Sequence, residues 1–230
     1  VFYVSLDHQH EAAFYRNTVI HFFINRAIAE LAILQAAEDN APDVKTAAWE
    51  YALRLKDILK FDFFFPSTKE FGAQMAAEYN LMWPGWEQQS FTPKQVLEDA
   101  IKLKLVLAHR VIGPFLEAYS VFADELAKAG DAPVEQKTIV ATSLALAKQR
   151  WLQRTLHTPE SISKDYFVNV FQYAKNQKLV EAGPDLAARR QAFAQELRTA
   201  VQRVDDLRLI AQDLGEPVLT QRARLGEANG

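Results

Sequence analysis

Apolar positions along most of this chain recur every three to four residues, the spacing that turns one face of an α-helix toward a core, and the strict alternation of a half-buried strand is rare. Between residues 11 and 38, Phe14, Tyr15, Val19, Ile20, Phe22, Phe23, Ile24, Ile28, Leu31 and Leu34 are spread around most of the helical circumference, which predicts a long helix buried on several sides. A bilayer span is the rival for such a run, but it needs about 20 mostly apolar residues, and Arg26 and Glu30 fall inside any such window. A second helix is predicted from about Val44 to Lys60, passing into Phe61-Asp62-Phe63-Phe64-Phe65 and stopped by Pro66. A third runs from about Thr68 to Asn80, before a turn at Trp83-Pro84-Gly85-Trp86.

Thr92-Pro93 places a capping hydroxyl before a proline at the first helical position. The helix it opens continues through Leu107 to Gly113-Pro114, kinks or breaks there, resumes to Lys128 and ends at Gly130. Further helices follow from about Pro133 to Leu156, from a Ser163 cap to Asn176, and from an Asp185 cap to Leu214. The pattern predicts an all-α domain of seven or eight helices over residues 1–215, a polar tail over 216–230, and at most one short strand at the N-terminus. That strand is read in Val1-Phe2-Tyr3-Val4-Ser5-Leu6, which has no initiator Met, basic leader or cleavage site, so the chain is expected to be a piece of a longer protein or a processed one.

Composition narrows the chemistry. Eight Gly and nine Pro in 230 residues are too few for a turn-rich sandwich, barrel or doubly wound sheet. The absence of cysteine excludes a disulfide framework, a thiolate metal site and a cysteine nucleophile. With 26 Lys plus Arg against 29 Asp plus Glu, the net charge of −3 speaks against a broad nucleic-acid-binding surface. The helix-turn-helix outline between Ala141 and Val180 offers only Lys164, Asp165, Asn169 and Gln172 at the start of its second helix, too little cationic character for a DNA reader.

Asn17, His21 and Asn25 recur every four positions on the first helix and form a polar stripe. It is read either as a structural hydrogen-bond ladder or, with Arg16, as the lining of a polar cavity or interdomain seam. No second ligand stands at metal spacing from His21. Asp7-His8-Gln9-His10-Glu11 reads as a solvated helix start, and His109-Arg110 as cations at a helix C-terminus. Arg150, Arg154 and His157 follow at i, i+4 and i+7, a cationic stripe that suits either phosphate or the negative end of a helix. The Phe61–Phe65 cluster is core or a membrane-facing or partner-facing patch. A Gly-rich phosphate loop, a Gly-x-Ser-x-Gly elbow, a His-Glu-x-x-His pair and a His with Asp five places on are all absent from the chain.

Phe14-Tyr15-Arg16-Asn17-Thr18-Val19-Ile20-His21-Phe22-Phe23 with Ala29-Glu30-Leu31-Ala32, then Leu59-Lys60-Phe61-Asp62-Phe63-Phe64-Phe65, Gly113-Pro114-Phe115-Leu116-Glu117-Ala118-Tyr119 and Ser161-Ile162-Ser163, resemble in order and spacing the C-terminal region of membrane-associated glycerol-3-phosphate acyltransferases of the bacterial long form. The resemblance covers nearly the whole chain. It implies acyl transfer from acyl-CoA or acyl-carrier protein to the sn-1 hydroxyl of glycerol 3-phosphate, the opening step of phospholipid synthesis, at the cytoplasmic face of the membrane and without a cofactor. The family's catalytic His with Asp five residues on, and its Glu-Gly-x-Arg-type block for glycerol phosphate, are missing here, so the resemblance implies no catalytic residue and no metal in this chain. The implied role is to pack against the catalytic domain, close its pocket and help seat the enzyme on the membrane; the alternative reading is a freestanding helical interaction module whose polar helix is purely structural. Arg16, Asn17 and His21 are then expected toward the catalytic domain, Arg150, Arg154 and His157 toward phosphate, and Phe63, Phe64 and Phe65 toward lipid or the acyl chain.

Overall fold

The computed structural model describes residues 19–103 and 107–212. The strand read at Val1–Leu6, the His8/His10 segment, Arg16, Asn17 and the tail lie outside them. Nine α-helices occur among the described residues: α1 (Ile24–Glu38), α2 (Val44–Ile58), α3 (Thr68–Met82), α4 (Pro93–Leu103), α5 (Ala108–Val111), α6 (Gly113–Lys128), α7 (Gln136–Leu152), α8 (Lys164–Asn176) and α9 (Leu186–Gln212). Strands are absent from the described residues, so the all-α expectation holds. The helices outnumber those read from the pattern because the 92–128 run divides at two places rather than one.

Local chemistry fixes most boundaries. Asn40, with φ 55°, takes the left-handed conformation that ends α1, and the Asp43 carboxylate then accepts the Lys45 and Thr46 amides at 3.1 and 3.2 Å to open α2. Ser67 and Glu70 form a reciprocal capping box at α3. Thr92 Oγ1 accepts the Gln95 amide at 3.2 Å, as the Thr-Pro pair predicts. The start of α9 is different: Asp185 supplies its carbonyl to the Arg189 amide, but the carboxylate that accepts the Ala187 amide, at 2.8 Å, belongs to Asp131.

Two helices organise the packing. α1 is sheathed by α2, α3, α4 and α5, and its residues from Ala27 to Leu34 are fully buried. α6 is covered by α7, α8 and α9, and α9 also reaches α1 and α5, tying the two groups into one core. At Gly113 a Cβ would stand 3.2 Å from Val204 Cγ1, so the missing side chain lets α6 and α9 approach closely. No described helix is long and apolar enough to cross a membrane.

Candidate functional site

The N-terminal edge departs from the single helix predicted over 11–38. Ile20–Phe22 form one 3₁₀ turn, and the α-helix begins only at Ile24. His21 is exposed, its ring against that of Phe22 with centroids 4.0 Å apart. Asn25 Nδ2 donates to Gln74 Oε1 on α3 at 2.8 Å, so this member of the polar stripe is a tie between helices. Val19, Phe22 and Phe23 are exposed beside His21, with Phe22 at 73%.

The cationic stripe is not assembled as a helical face. α7 ends at Leu152, and Arg154 stands in the following turn with φ 59°. Arg150 Nη2 bonds Asp124 Oδ2 at 2.7 Å, an aspartate that Arg198 Nε also reaches at 2.8 Å. His157 Nε2 lies 3.2 Å from Asp205 Oδ2 on α9. Arg150 and His157 therefore go to different partners, and Arg154 stands off the helical face.

The phenylalanine cluster divides by burial. Phe63 is buried with its ring 4.9 Å from Phe115, and Phe65 is half-buried against Phe71 at 5.8 Å. Phe61 is partly exposed and Phe64 is 96% exposed.

The site that the residue-by-residue reading missed is polar and lies along α6. A carboxylate in an apolar segment must find donors, because burying it unpaired is costly. Three such carboxylates fall inside the segments that carry the family resemblance. Glu30, fully buried on α1, accepts from Arg26 Nε at 2.8 Å and from the Leu107 and Ala108 amides at 2.9 Å, capping α5 across 77 residues of sequence. Asp62 accepts from Tyr119 Oη on α6 and, at 2.9 Å, from Asn169 Nδ2 on α8. Burial pushes the Asp62 carboxyl up to about 6 against the lowering effect of those two hydrogen bonds, and the same burial pushes the Tyr119 phenol up.

Glu117, buried on α6, accepts the His157 amide at 3.0 Å, the Thr158 amide at 3.3 Å, the Thr158 hydroxyl at 2.7 Å and the Ser161 hydroxyl. It thus pins the Thr158–Ser161 turn onto the helix. Arg208 from α9 reaches Asp205 at 2.8 Å and Glu117 at 3.5 Å. Glu117, His157 and Asp205 bring three ligand atoms within 4.8 Å of one another, as a metal site would, and the Arg208 guanidinium lies against both carboxylates. Next to this network, burial and the charges of Arg110 and Arg208 lower His109 to about 4, so it is a neutral imidazole at pH 7 and not the terminal cation expected of it.

Glu30, Asp62, Glu117 and Ser161 thus link the resembling segments through hydrogen bonds that converge on α6 and the short helix before it. Residues 1–183 match the family described as the glycerol-3-phosphate acyltransferase C-terminal region. The chain belongs to this family. Relatives with the provisional name acyltransferase plsB1, from Mycobacterium bovis and Mycobacterium tuberculosis, are 36% identical over 219 residues, covering 91% of this chain and 34% of theirs. The chain thus spans about a third of the length of the curated relatives it matches. No solved structure matches it. As a C-terminal region of the acyltransferase family, its described part commits its buried carboxylates to holding helices together: Glu117 already has four donors and a guanidinium around it, which leaves it poorly suited to proton transfer.

Proposed function

We propose that this chain is the supporting C-terminal part of a glycerol-3-phosphate 1-O-acyltransferase, an enzyme that moves an acyl group from acyl-CoA or acyl-carrier protein to glycerol 3-phosphate at the cytoplasmic face of the membrane. Without the His and Asp of the catalytic block, the chain alone is inactive. Its work is to pack against the catalytic domain and close the substrate pocket. The observation that carries this reading is the apolar edge of Val19, Phe22 and Phe23 around exposed His21, directly ahead of the buried helix α1. Phenyl rings left in water at the end of a rigid core helix favour a covering surface, and the family places a catalytic domain upstream of this region.

The test is made in the complete enzyme. Phe22→Ser and Arg16→Ala are each expected to lower glycerol-3-phosphate acylation about tenfold with an unchanged melting temperature, a loss of about 1.4 kcal/mol in transition-state stabilisation. Wild-type rates in both variants would remove this edge from the interface.

A further inference from the structure

α7 has an unusual surface for a helix that covers a core. Its inward residues Ile139, Val140, Ser143 and Ala147 are buried, yet its exposed positions include Ala141 and Ala145, and from Gln136 to Leu152 it carries no Asp or Glu. The outer face of such a helix ordinarily holds charged residues of both signs. Beside α8, Val140, Ala141, Leu144 and Val168 line an open groove of about 550 Å³, with Lys137 and Lys164 along it. Ala141 is exposed and Leu144 and Val168 are only half-buried, so this aliphatic strip meets water. Lys148, one turn beyond Leu144, is exposed like the other two lysines. None of the three has an ion-pair partner among the described residues. Two acids stand near. Glu135 lines the groove from the residue before α7, its carboxylate accepting the Thr138 hydroxyl at 2.9 Å, and Asp165 follows Lys164 in sequence without lining the groove. Cations therefore outnumber acids here, in a chain whose net charge is −3.

From this geometry we infer that the α7–α8 groove docks an acidic amphipathic helix of a protein partner and, resting on the function proposed above, that this partner is the acyl-carrier protein that delivers the acyl group. Charge and shape together select the occupant. A helix laid along the groove sets its apolar face on Val140, Ala141, Leu144 and Val168, and its acidic flank meets Lys137, Lys148 and Lys164. Lys137 and Lys148 are eleven residues apart on α7, about 16 Å, which matches three turns of a docked helix. A bare acyl chain has no use for the lysines and needs enclosure, which an open groove does not give. A flat lipid surface does not reach the floor of a concave one. The exposed alanines on the outer face of α7 leave room for a helix to approach closely.

Titration of the full chain with fluorescently labelled acyl-carrier protein tests the inference. Saturable binding is expected, weakened by added salt. Lys137→Glu and Lys164→Glu should each weaken it about fivefold, Ala141→Phe, which fills the groove, about tenfold, and Lys137→Arg should bind as wild type does. All of these positions are exposed, so unchanged melting curves are expected. In the complete enzyme Lys137→Glu and Ala141→Phe should raise KM for the acyl-carrier-protein donor by the same factors with kcat nearly unchanged, and leave the kinetics with acyl-CoA as in wild type. Absence of carrier binding, or wild-type binding by Lys137→Glu, Lys164→Glu and Ala141→Phe alike, would overturn the docking groove. Equal losses with both donors would overturn it too, by assigning the groove to a step that the donors share. Carrier binding that the variants leave intact, while binding to phosphatidylglycerol vesicles is lost, would give the groove to a lipid surface instead. The two proposals fail separately: acylation from acyl-CoA without any carrier binding removes the groove and leaves the proposed function standing, whereas carrier binding with no acylation of glycerol 3-phosphate by the complete enzyme from either donor removes that function.

Discussion

Asp62 shows at the scale of one residue how a single carboxylate reports on the fold. Its folded value of about 6 lies above the ordinary 3.8, because burial disfavours its charge more than Tyr119 and Asn169 favour it. The native state therefore holds more protons than the unfolded chain between those values. The stability that Asp62 contributes is present below pH 4 and is lost as pH rises through 6. Asp62→Asn removes the titration, so its melting temperature relative to wild type should climb between pH 4 and pH 7 and then level off. A difference that stays flat across that range would mean that the carboxylate is not desolvated. His109 has the opposite sign, its value lowered to about 4, so its contribution is lost as pH falls from about 6.5. This is why the single variant, rather than the wild-type pH curve, isolates Asp62. Neither behaviour was legible from residue types: a lone Asp among phenylalanines signals a need for partners, but Tyr119 and Asn169 lie 57 and 107 residues away.

Among the helices, boundaries set by neighbours in sequence were readable and boundaries set across the fold were not. Thr92-Pro93 marks the start of α4 correctly because the cap and the proline act within one turn. The break between α4 and α5 was read as continuous helix, since its cap is Glu30 on α1. Similarly, the stripe of Arg150, Arg154 and His157 assumed a helix to Leu156, whereas the Thr155 amide turns back to the Arg150 carbonyl and closes α7 early. Arg190 is the clearest nonlocal element. Fully buried on α9, it donates from Nε to the Leu179 carbonyl at 2.8 Å and from Nη1 to the carbonyls of Gly130 and Ala132 at 2.6 and 2.8 Å, gathering the chain that leaves α6 and α8. Those carbonyls lie in the turns just past α6 and α8, and a guanidinium has donors enough to satisfy all three. Arg190→Ala should cost on the order of 3–5 kcal/mol in urea unfolding, and Arg190→Lys should recover less than half of it, since one ammonium cannot span the same three acceptors. A loss below about 1 kcal/mol would show that the helix ends do not depend on the clamp.

Across the whole molecule, the segments that resemble the acyltransferase family are far apart in sequence yet meet around α6, through Asp62 with Tyr119 and Ser161 with Glu117, while Glu30 caps the short helix leading into it. Helix content and family membership were legible because periodicity and segment order survive without knowledge of contacts. The polar junctions were not, because each depends on which helices become neighbours. In the proposed function this interior is the support, and the exposed apolar edge at Phe22 is the surface that meets the catalytic domain. The most direct test of that division is reconstitution: the catalytic part of the enzyme is expressed without this region, the chain is added back, and acylation of glycerol 3-phosphate is followed. The account predicts no activity from the chain alone and at least about a tenfold rise on adding it, a rise that Phe22→Ser abolishes. Full activity of the catalytic part without the chain, or a rise that Phe22→Ser leaves intact, would contradict it.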